Sequence, residues 1–177
     1  MRYPMELVFI DIDNTLLDFD EYIRRTMREG FAHFGLKPYE PYMEEIFHRE
    51  NGKLWRQIEQ GTLTFAELER IRWNNVFAAL DIDFDGTVFE TYFRAALYDS
   101  AIPVPGAMEL LEALHGKYPL AVASNGPYGQ QLHRLELAGM KRYLNVLNRC
   151  LNCSVKISPS WAVTATVKPA KWQIRLS

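Results

Sequence analysis

The stretch LVFIDIDNTLLD at residues 7–18 decides the fold that we predict for this chain. Its apolar run leads directly into two carboxylates, Asp11 and Asp13, which are separated by one residue. Such a run is typical of a strand buried on both faces of a parallel sheet, and ligands bind outside the carboxyl ends of these strands. Because alternate side chains of a strand share a face, both carboxylates should enter one site and share a cation, most simply magnesium.

The composition is that of an ordinary globular protein. The chain has 177 residues, of which 48% are apolar and 24% charged, and a net charge of -2, which predicts one domain or a core with a modest insertion. No apolar run has the length of a membrane span, and residues 1–12 lack the features of a signal peptide. We therefore expect a cytoplasmic protein without a membrane partner.

The residues after the first strand predict helices, followed by a second strand. Residues 19–99 show helical spacing, and Thr64 with Glu67 forms a predicted capping box at the start of one helix. A second buried strand is predicted at 119–123, and it leads into the sequence SNG at 124–126. The order of strand, helical block, helix, strand and helix is that of a parallel sheet with a helical insertion.

This order defines two predicted domains. We expect an α/β fold with a Rossmann-like parallel sheet core at residues 1–17 and 100–177, and an inserted helical cap at 18–99. Alternating apolar residues predict a further, half-exposed strand at 160–168. The part of the core that follows residue 147 looks incomplete, because the pattern weakens there.

Two motifs give the chain a resemblance to the haloacid dehalogenase superfamily of phosphatases and phosphotransferases. FIDIDNTLLDFD at residues 9–20 is similar to that family's Asp-x-Asp-x-Thr-Leu motif, and LAVASNG at 120–126 to its second, Ser/Thr motif. The segment NGPYGQQLHRLELAGMKRYLNV at 125–146 looks closer to the subgroup that contains pyrimidine 5'-nucleotidases. The resemblance covers residues 5 to about 147 and implies a Rossmann-like core with a cap.

The resemblance also implies a role for each residue of the two motifs. Asp11 is similar to the family's nucleophile, which forms an aspartyl-phosphate, and Asp13 to its general acid and base. Magnesium would be held by Asp11 and Asp13, with the Ile12 carbonyl as a further ligand. The residues implied in phosphate binding are Asn14 and Thr15, which would orient the loop, and Ser124, Asn125 and Gly126, which would hold the phosphate at a helix start.

The chain departs from the family pattern towards its C-terminal end. Lys156 lies about where the family places a catalytic lysine, but Ile157 follows it instead of the usual proline. The family completes its metal site with a later acidic motif, whereas no Asp or Glu follows Glu136 here. We interpret the tail from about residue 148 as a truncated or altered version of the family's C-terminal half.

Basic residues are spread through the chain after Glu136, and they are compatible with an anion-binding or nucleic-acid-binding function. Their dispersion among apolar residues favours the simpler interpretation without a nucleic acid partner. The basic residues after Glu136 are Lys141, Arg142, Arg149, Lys156, Lys168, Lys171 and Arg175.

A second acidic cluster, DIDFDG at residues 81–86, admits two interpretations. As a calcium loop it would need a Glu at its twelfth position, where Tyr92 stands instead. The preferred interpretation is a linker between two helices, in which the acidic residues cap the helix ends.

These observations lead to one main functional hypothesis. We expect a magnesium-dependent phosphatase of a small phosphorylated metabolite, such as a nucleoside 5'-monophosphate. Asp13 favours phosphate esters over haloacids, since the dehalogenases of the family resemble this chain at the nucleophile but lack the second Asp. The alternative is a weak or inactive phosphate-binding remnant whose sheet is completed by another chain, for example in a homo-oligomer.

Overall fold

The structure of the protein is a computed structural model, which describes residues 8–149 and 164–165. Over these ranges the chain combines a small parallel sheet with a larger number of helices, so the predicted α/β fold is confirmed. The chain divides into two compact units. The first extends to Asp20 and resumes at Tyr98, and the second is Glu21–Leu97.

A parallel sheet forms the centre of the first unit. Its strands are β1 (Val8–Ile10), β2 (Leu120–Ser124), β3 (Val146–Arg149) and β4 (Thr164–Ala165), in the order β3-β2-β1-β4. All the neighbouring strands are parallel, so their carboxyl ends lie at one edge of the sheet. Because β1 and β2 are neighbours, the residues that follow them come close together at that edge.

Apolar side chains from the strands and from two helices bury the first unit's core. The helices are α5 (Ala107–Leu114) and α6 (Tyr128–Leu137), and a short 3-10 helix follows at Lys141–Tyr143. Burial of these side chains supplies most of the free energy that favours folding of this unit. The core includes Val8, Ile10, Ile12, Leu16, Leu17, Leu111, Leu120, Val122, Leu135 and Met140.

The second unit is helical and has an aromatic core. Its helices are α1 (Phe19–His33), α2 (Tyr42–Glu59), α3 (Phe65–Leu80) and α4 (Gly86–Tyr98), of which α1 and α4 extend slightly beyond it. Aromatic rings on these helices meet edge to face or tilted, the arrangement that ring quadrupoles favour. The most buried aromatic residues are Phe31, Phe47, Trp73, Phe77, Phe89 and Phe93.

A charged pair is buried beside these rings. Arg72 on α3 donates from Nε to Glu90 Oε2 on α4 over 3.0 Å, and its Nη2 contacts Glu90 Oε1. The Arg72 guanidinium also lies 4.6 Å from the centroid of the Phe93 ring. Burial raises the pKa of the Glu90 carboxyl, and the charge of Arg72 opposes that rise without cancelling it.

Helix capping follows the prediction closely. Thr64 and Glu67 form the predicted capping box at the start of α3. In the cluster at residues 81–86, Asp81 ends α3 with a φ of 54°, and Asp85 Oδ1 accepts the backbone N–H of Thr87 over 2.8 Å in the first turn of α4. The interpretation of this cluster as a linker with capping acids is therefore confirmed.

The sheet differs from the prediction at its two outer strands. The sequence pattern did not predict β3, because it weakens from residue 146 onward. Of the strand predicted at 160–168, the structure describes Thr164–Ala165, which pairs with β1. No helix within the described ranges is both long enough and apolar enough to span a membrane.

Candidate active site

The backbone turns back on itself immediately after β1. The Ile12 carbonyl oxygen accepts the backbone N–H groups of Thr15, Leu16 and Leu17, over 2.8 to 3.2 Å. These hydrogen bonds close a tight turn that keeps Asp11 at the end of the strand. They also occupy the Ile12 carbonyl, and the binding of a cation by this oxygen stays a prediction.

Asn14 serves as a cap for the first helix. Its φ of 60° is left-handed, which Asn tolerates better than most residues. Its Oδ1 accepts the backbone N–H groups of Phe19 and Asp20, over 2.9 and 3.1 Å. Its Nδ2 donates to Asp20 Oδ1 over 2.9 Å. The Asn14 side chain thus links the loop to the start of α1, and its contact with phosphate stays a prediction.

Asp13 forms an ion pair with a buried arginine of the same unit. Arg134 on α6 donates from Nη1 to Asp13 Oδ1 over 2.7 Å, and Gln131 donates from Nε2 to Asp13 Oδ2 over 2.9 Å. The Arg134 side chain is 1% exposed and that of Asp13 is 34% exposed. Each carboxylate oxygen therefore accepts one hydrogen bond and keeps a further acceptor position, so the role of Asp13 as a metal ligand stays a prediction.

Ser124, at the end of β2, is also hydrogen-bonded to Gln131. Its Oγ accepts a hydrogen bond from Gln131 Nε2 over 2.7 Å and another from the Gly126 backbone N–H over 3.2 Å. A hydroxyl has two acceptor positions and one hydrogen, so Ser124 can only donate to a further partner. A donor in this position suits a phosphoryl oxygen.

The other predicted phosphate ligands have different surroundings. The Gly126 N–H donates to Ser124, so the expectation that this amide holds the phosphate directly is not supported. Asn125 is exposed beside it, and Thr15 is buried in the turn after β1. Lys156, the predicted catalytic lysine, lies outside the described residues.

Gln131 and Arg134 were missed by the sequence interpretation. The Gln131 Oε1 accepts from Arg134 Nη1 over 2.8 Å, and Arg134 Nε donates to the Ser100 carbonyl over 2.8 Å. Both lie on the buried face of α6 with Leu135, three positions apart. Two polar residues at helical spacing on an apolar face, just after the SNG sequence, were the signal that could have revealed them.

The carboxyl group of Asp11 has an altered acidity. Although Asp11 is exposed by surface area, the protein atoms around its carboxyl group exclude enough water to raise its pKa to about 6. The backbone N–H of Ile12 lowers this pKa, and the negative charge of Asp13 raises it. At neutral pH the group is mostly a carboxylate, which is the form that a nucleophile needs.

The described residues do not form a complete magnesium site. Within these ranges no group of three His, Cys, Asp or Glu residues lies close enough together to hold a metal ion. Of the predicted ligands, the Ile12 carbonyl accepts three backbone hydrogen bonds and each Asp13 oxygen accepts one, and the Asp11 carboxylate completes the set. Magnesium prefers six oxygen ligands, so the residues present do not fit a tightly held ion by themselves.

The Asp11 and Asp13 carboxylates follow one parallel strand and Ser124 ends its neighbour, so the three residues lie at the same edge of the sheet. Residues 5–155 match the haloacid dehalogenase-like hydrolases, and the chain therefore belongs to this family.

Individual relatives are similar over most of this chain. It is 27% identical to pyrimidine 5'-nucleotidase YjjG of Escherichia coli over 142 residues, which cover 79% of this chain and 60% of the relative. It is 26% identical to pyrimidine 5'-nucleotidase PynA of Streptococcus pneumoniae over 141 residues, which cover 79% and 59%. The chain thus spans about 60% of the length of the curated relatives that it matches.

A solved structure agrees with the fold. YfnB of Bacillus subtilis, whose crystal structure was determined bound to magnesium, superposes with a TM-score of 0.73 at 24% identity. The match covers 83% of this chain and 64% of the YfnB chain. At this identity the likeness establishes the fold and leaves the substrate open.

Proposed function

We propose that the protein is a phosphatase that hydrolyses phosphate esters of small metabolites. The observation that carries this proposal is the juxtaposition of the Asp11 and Asp13 carboxylates with a Ser124 hydroxyl that can only donate. Phosphoryl transfer needs a nucleophile, an acid and base for the leaving oxygen and water, and donors for the phosphoryl oxygens. Each of these three needs has a candidate residue in the site.

The reaction would proceed in two displacements on phosphorus. The Asp11 carboxylate attacks phosphorus, an aspartyl-phosphate forms, and the bond between phosphorus and the leaving alcohol breaks while Asp13 donates a proton to that alcohol. Water then attacks the same phosphorus, Asp13 accepts the proton, and the bond to Asp11 breaks to release inorganic phosphate. The Ser124 hydroxyl donates to a phosphoryl oxygen throughout.

The substrates to test first are pyrimidine nucleoside 5'-monophosphates. Support comes from the two relatives that carry the name pyrimidine 5'-nucleotidase, at 26% and 27% identity. Such monophosphates are small phosphate esters, in agreement with the expectation from the sequence. The choice of base is a proposal, because the fold alone does not determine it.

Magnesium is the cofactor that we propose. Its support is the family resemblance and the magnesium-bound structure of YfnB. Asp11 is the candidate ligand among the described residues, and Lys156 remains the predicted catalytic lysine. When bound, the ion would supply positive charge opposite the phosphoryl oxygens.

An assay with p-nitrophenyl phosphate and with nucleoside 5'-monophosphates, with and without magnesium, tests the proposal. Asp11→Asn should lower turnover by about 10³-fold or more, because it removes the attacking group. Asp83→Asn in the linker between α3 and α4 is the matched control and should leave turnover unchanged. Equal turnover in the wild-type protein and Asp11→Asn would refute the mechanism.

A second candidate is a phosphate-binding remnant with little turnover, completed by a second copy of the chain. The absence of a three-ligand metal group among the described residues favours it. It predicts phosphate binding that does not depend on magnesium, and no hydrolysis. Turnover that requires both magnesium and Asp11 excludes it.

A further inference from the structure

We propose that Gln131 and Arg134 are positioning residues that hold the Asp13 carboxylate in register with the Ser124 hydroxyl. This inference rests on the proposed phosphatase function, since it assigns a task to two residues around that site. Asp13 follows β1 and Ser124 ends β2, and the backbone hydrogen bonds between these strands do not fix the positions of the two side chains. The contact between them is made by α6.

A single nitrogen atom links the two groups. Gln131 Nε2 donates to Asp13 Oδ2 over 2.9 Å and to Ser124 Oγ over 2.7 Å. Both hydrogens of the amide are therefore committed, and they determine the separation of the carboxylate and the hydroxyl. Gln131 is 2% exposed, which leaves its side chain little room to adopt another rotamer.

Arg134 orients this amide and the carboxylate together. One guanidinium nitrogen, Nη1, donates to Asp13 Oδ1 over 2.7 Å and to Gln131 Oε1 over 2.8 Å. Its Nε donates to the Ser100 carbonyl over 2.8 Å, near the start of the connection between α4 and α5. The arginine thus fixes which end of the Gln131 amide carries the donors, and the carboxylate is held at both oxygens.

The polarity of residue 131 matters as much as its size. Its nitrogen donates twice while its oxygen accepts from Arg134, a combination that Glu, Met and Leu cannot reproduce. Because Gln131 donates to Ser124, the serine hydrogen points away from Gln131 and remains available for a phosphoryl oxygen. Loss of this donor would release both the carboxylate and the hydroxyl from their positions.

Kinetics of Gln131→Glu, Gln131→Met, Arg134→Lys and Arg134→Met with p-nitrophenyl phosphate as substrate test the inference. We expect kcat to fall by about 10²-fold for both Gln131 variants, because a misplacement of about 1 Å at a reacting group has this effect. KM should change much less, because Asp13 acts mainly in the transition state. Arg134→Lys should retain more kcat than Arg134→Met, because lysine keeps the positive charge, although it lacks the planar set of N–H donors of the guanidinium.

The matched control is Gln130→Met, which changes the neighbouring glutamine of the same helix outside the network. It should leave kcat unchanged, and melting temperatures of all variants establish that each is folded. A kcat for Gln131→Glu and Gln131→Met equal to that of Gln130→Met would overturn the inference. Retention of kcat by Arg134→Met would overturn the part assigned to the arginine.

Crystal structures of the wild-type protein and the same variants, without substrate, separate this inference from the proposed function. We expect the Asp13 carboxylate to leave its position in the Gln131 variants and to keep it in Gln130→Met. An Asp13 carboxylate that keeps its position in the Gln131 variants as well as in Gln130→Met would overturn the inference, whether or not the wild-type protein shows turnover. If the wild-type protein shows no turnover but Asp13 is displaced in the Gln131 variants, the proposed function alone is overturned.

Discussion

Arg134 Nη1 donates to Asp13 Oδ1 over 2.7 Å, although the two residues are 121 positions apart in the sequence. The pair gives the two motif carboxylates different electrostatic surroundings. Asp13 is balanced by a guanidinium of its own chain, whereas burial and the charge of Asp13 raise the pKa of Asp11 to about 6. The difference distinguishes the two carboxylates, for which we propose separate roles, Asp11 as nucleophile and Asp13 as acid and base.

Removal of the Arg134 guanidinium should destabilise the protein. Arg134→Met leaves the Ser100 carbonyl and Gln131 Oε1 without their donor, and we expect a loss of about 1–3 kcal/mol in the free energy of unfolding. Urea denaturation measures this loss. The control is Lys117→Met, since Lys117 is exposed in the turn after α5, and it should change the free energy by about 0.5 kcal/mol or less. Equal losses in the two variants would contradict the importance of the network.

Gly126 is required for the close approach of Gln131. A Cβ at position 126 would lie 2.6 Å from Gln131 Nε2, which is buried and hydrogen-bonded. Gly126→Ala should therefore displace Gln131 and destabilise the protein by about 1–3 kcal/mol. Gly129→Ala on the same helix is the control, because a Cβ there meets no atom within 4 Å. It should stabilise the helix by about 0.5–1 kcal/mol, and a similar effect of both substitutions on thermal unfolding would refute this prediction.

The acidity of Asp11 predicts a pH-dependent stability. Its pKa in the folded protein is about 6, above the ordinary value of 3.8, so the folded state binds the proton more tightly than the unfolded state. The associated stability is present below pH 3.8 and is lost as the pH rises through about 6. Without magnesium, Asp11→Asn should therefore melt above the wild-type protein at pH 7.5, and this gain should shrink towards pH 4. A difference in melting temperature that does not vary with pH would contradict the raised pKa.

The buried pair in the helical unit should matter far more than an exposed one. Arg72→Met leaves the Glu90 carboxylate buried without its partner, at an expected loss of about 3–5 kcal/mol. Arg94→Met removes the half-exposed partner of Glu69 and should cost about 1 kcal/mol or less. The loss in Arg72→Met should be smaller at pH 5 than at pH 8, because protonation of Glu90 removes its uncompensated charge. Chemical denaturation of both variants at pH 5 and pH 8 measures these losses. Equal losses of unfolding free energy in Arg72→Met and Arg94→Met would contradict the prediction.

The features that local patterns determine could be predicted from the sequence. The apolar runs before Asp11 and Ser124 identify β1 and β2, and the carboxyl ends of parallel strands meet at one edge. The capping box of Thr64 and the capping acids of the linker at 81–86 depend on residues a few positions apart. Short-range rules were sufficient in each of these cases.

The features that depend on distant contacts could not be predicted. The hydrogen bond from Arg134 to Asp13 requires α6 to lie beside the turn that follows β1, which no spacing in the sequence encodes. The hydrogen bonds to the Ile12 carbonyl are local, but the sequence interpretation did not anticipate the left-handed conformation of Asn14 in that turn. The structure brings Asp13 and Ser124 together after neighbouring strands, whereas their shared hydrogen-bond partner Gln131 could not be predicted.

The most direct test of the central claim is a rapid-quench experiment with a phosphate ester substrate, followed by mass spectrometry of the peptide that contains Asp11. The proposed mechanism predicts a transient, acid-stable phosphoryl group on Asp11 in the wild-type protein and its absence in Asp11→Asn. Substrate turnover without any phosphoryl group on Asp11, or the same turnover in Asp11→Asn, would contradict the claim that Asp11 is the nucleophile.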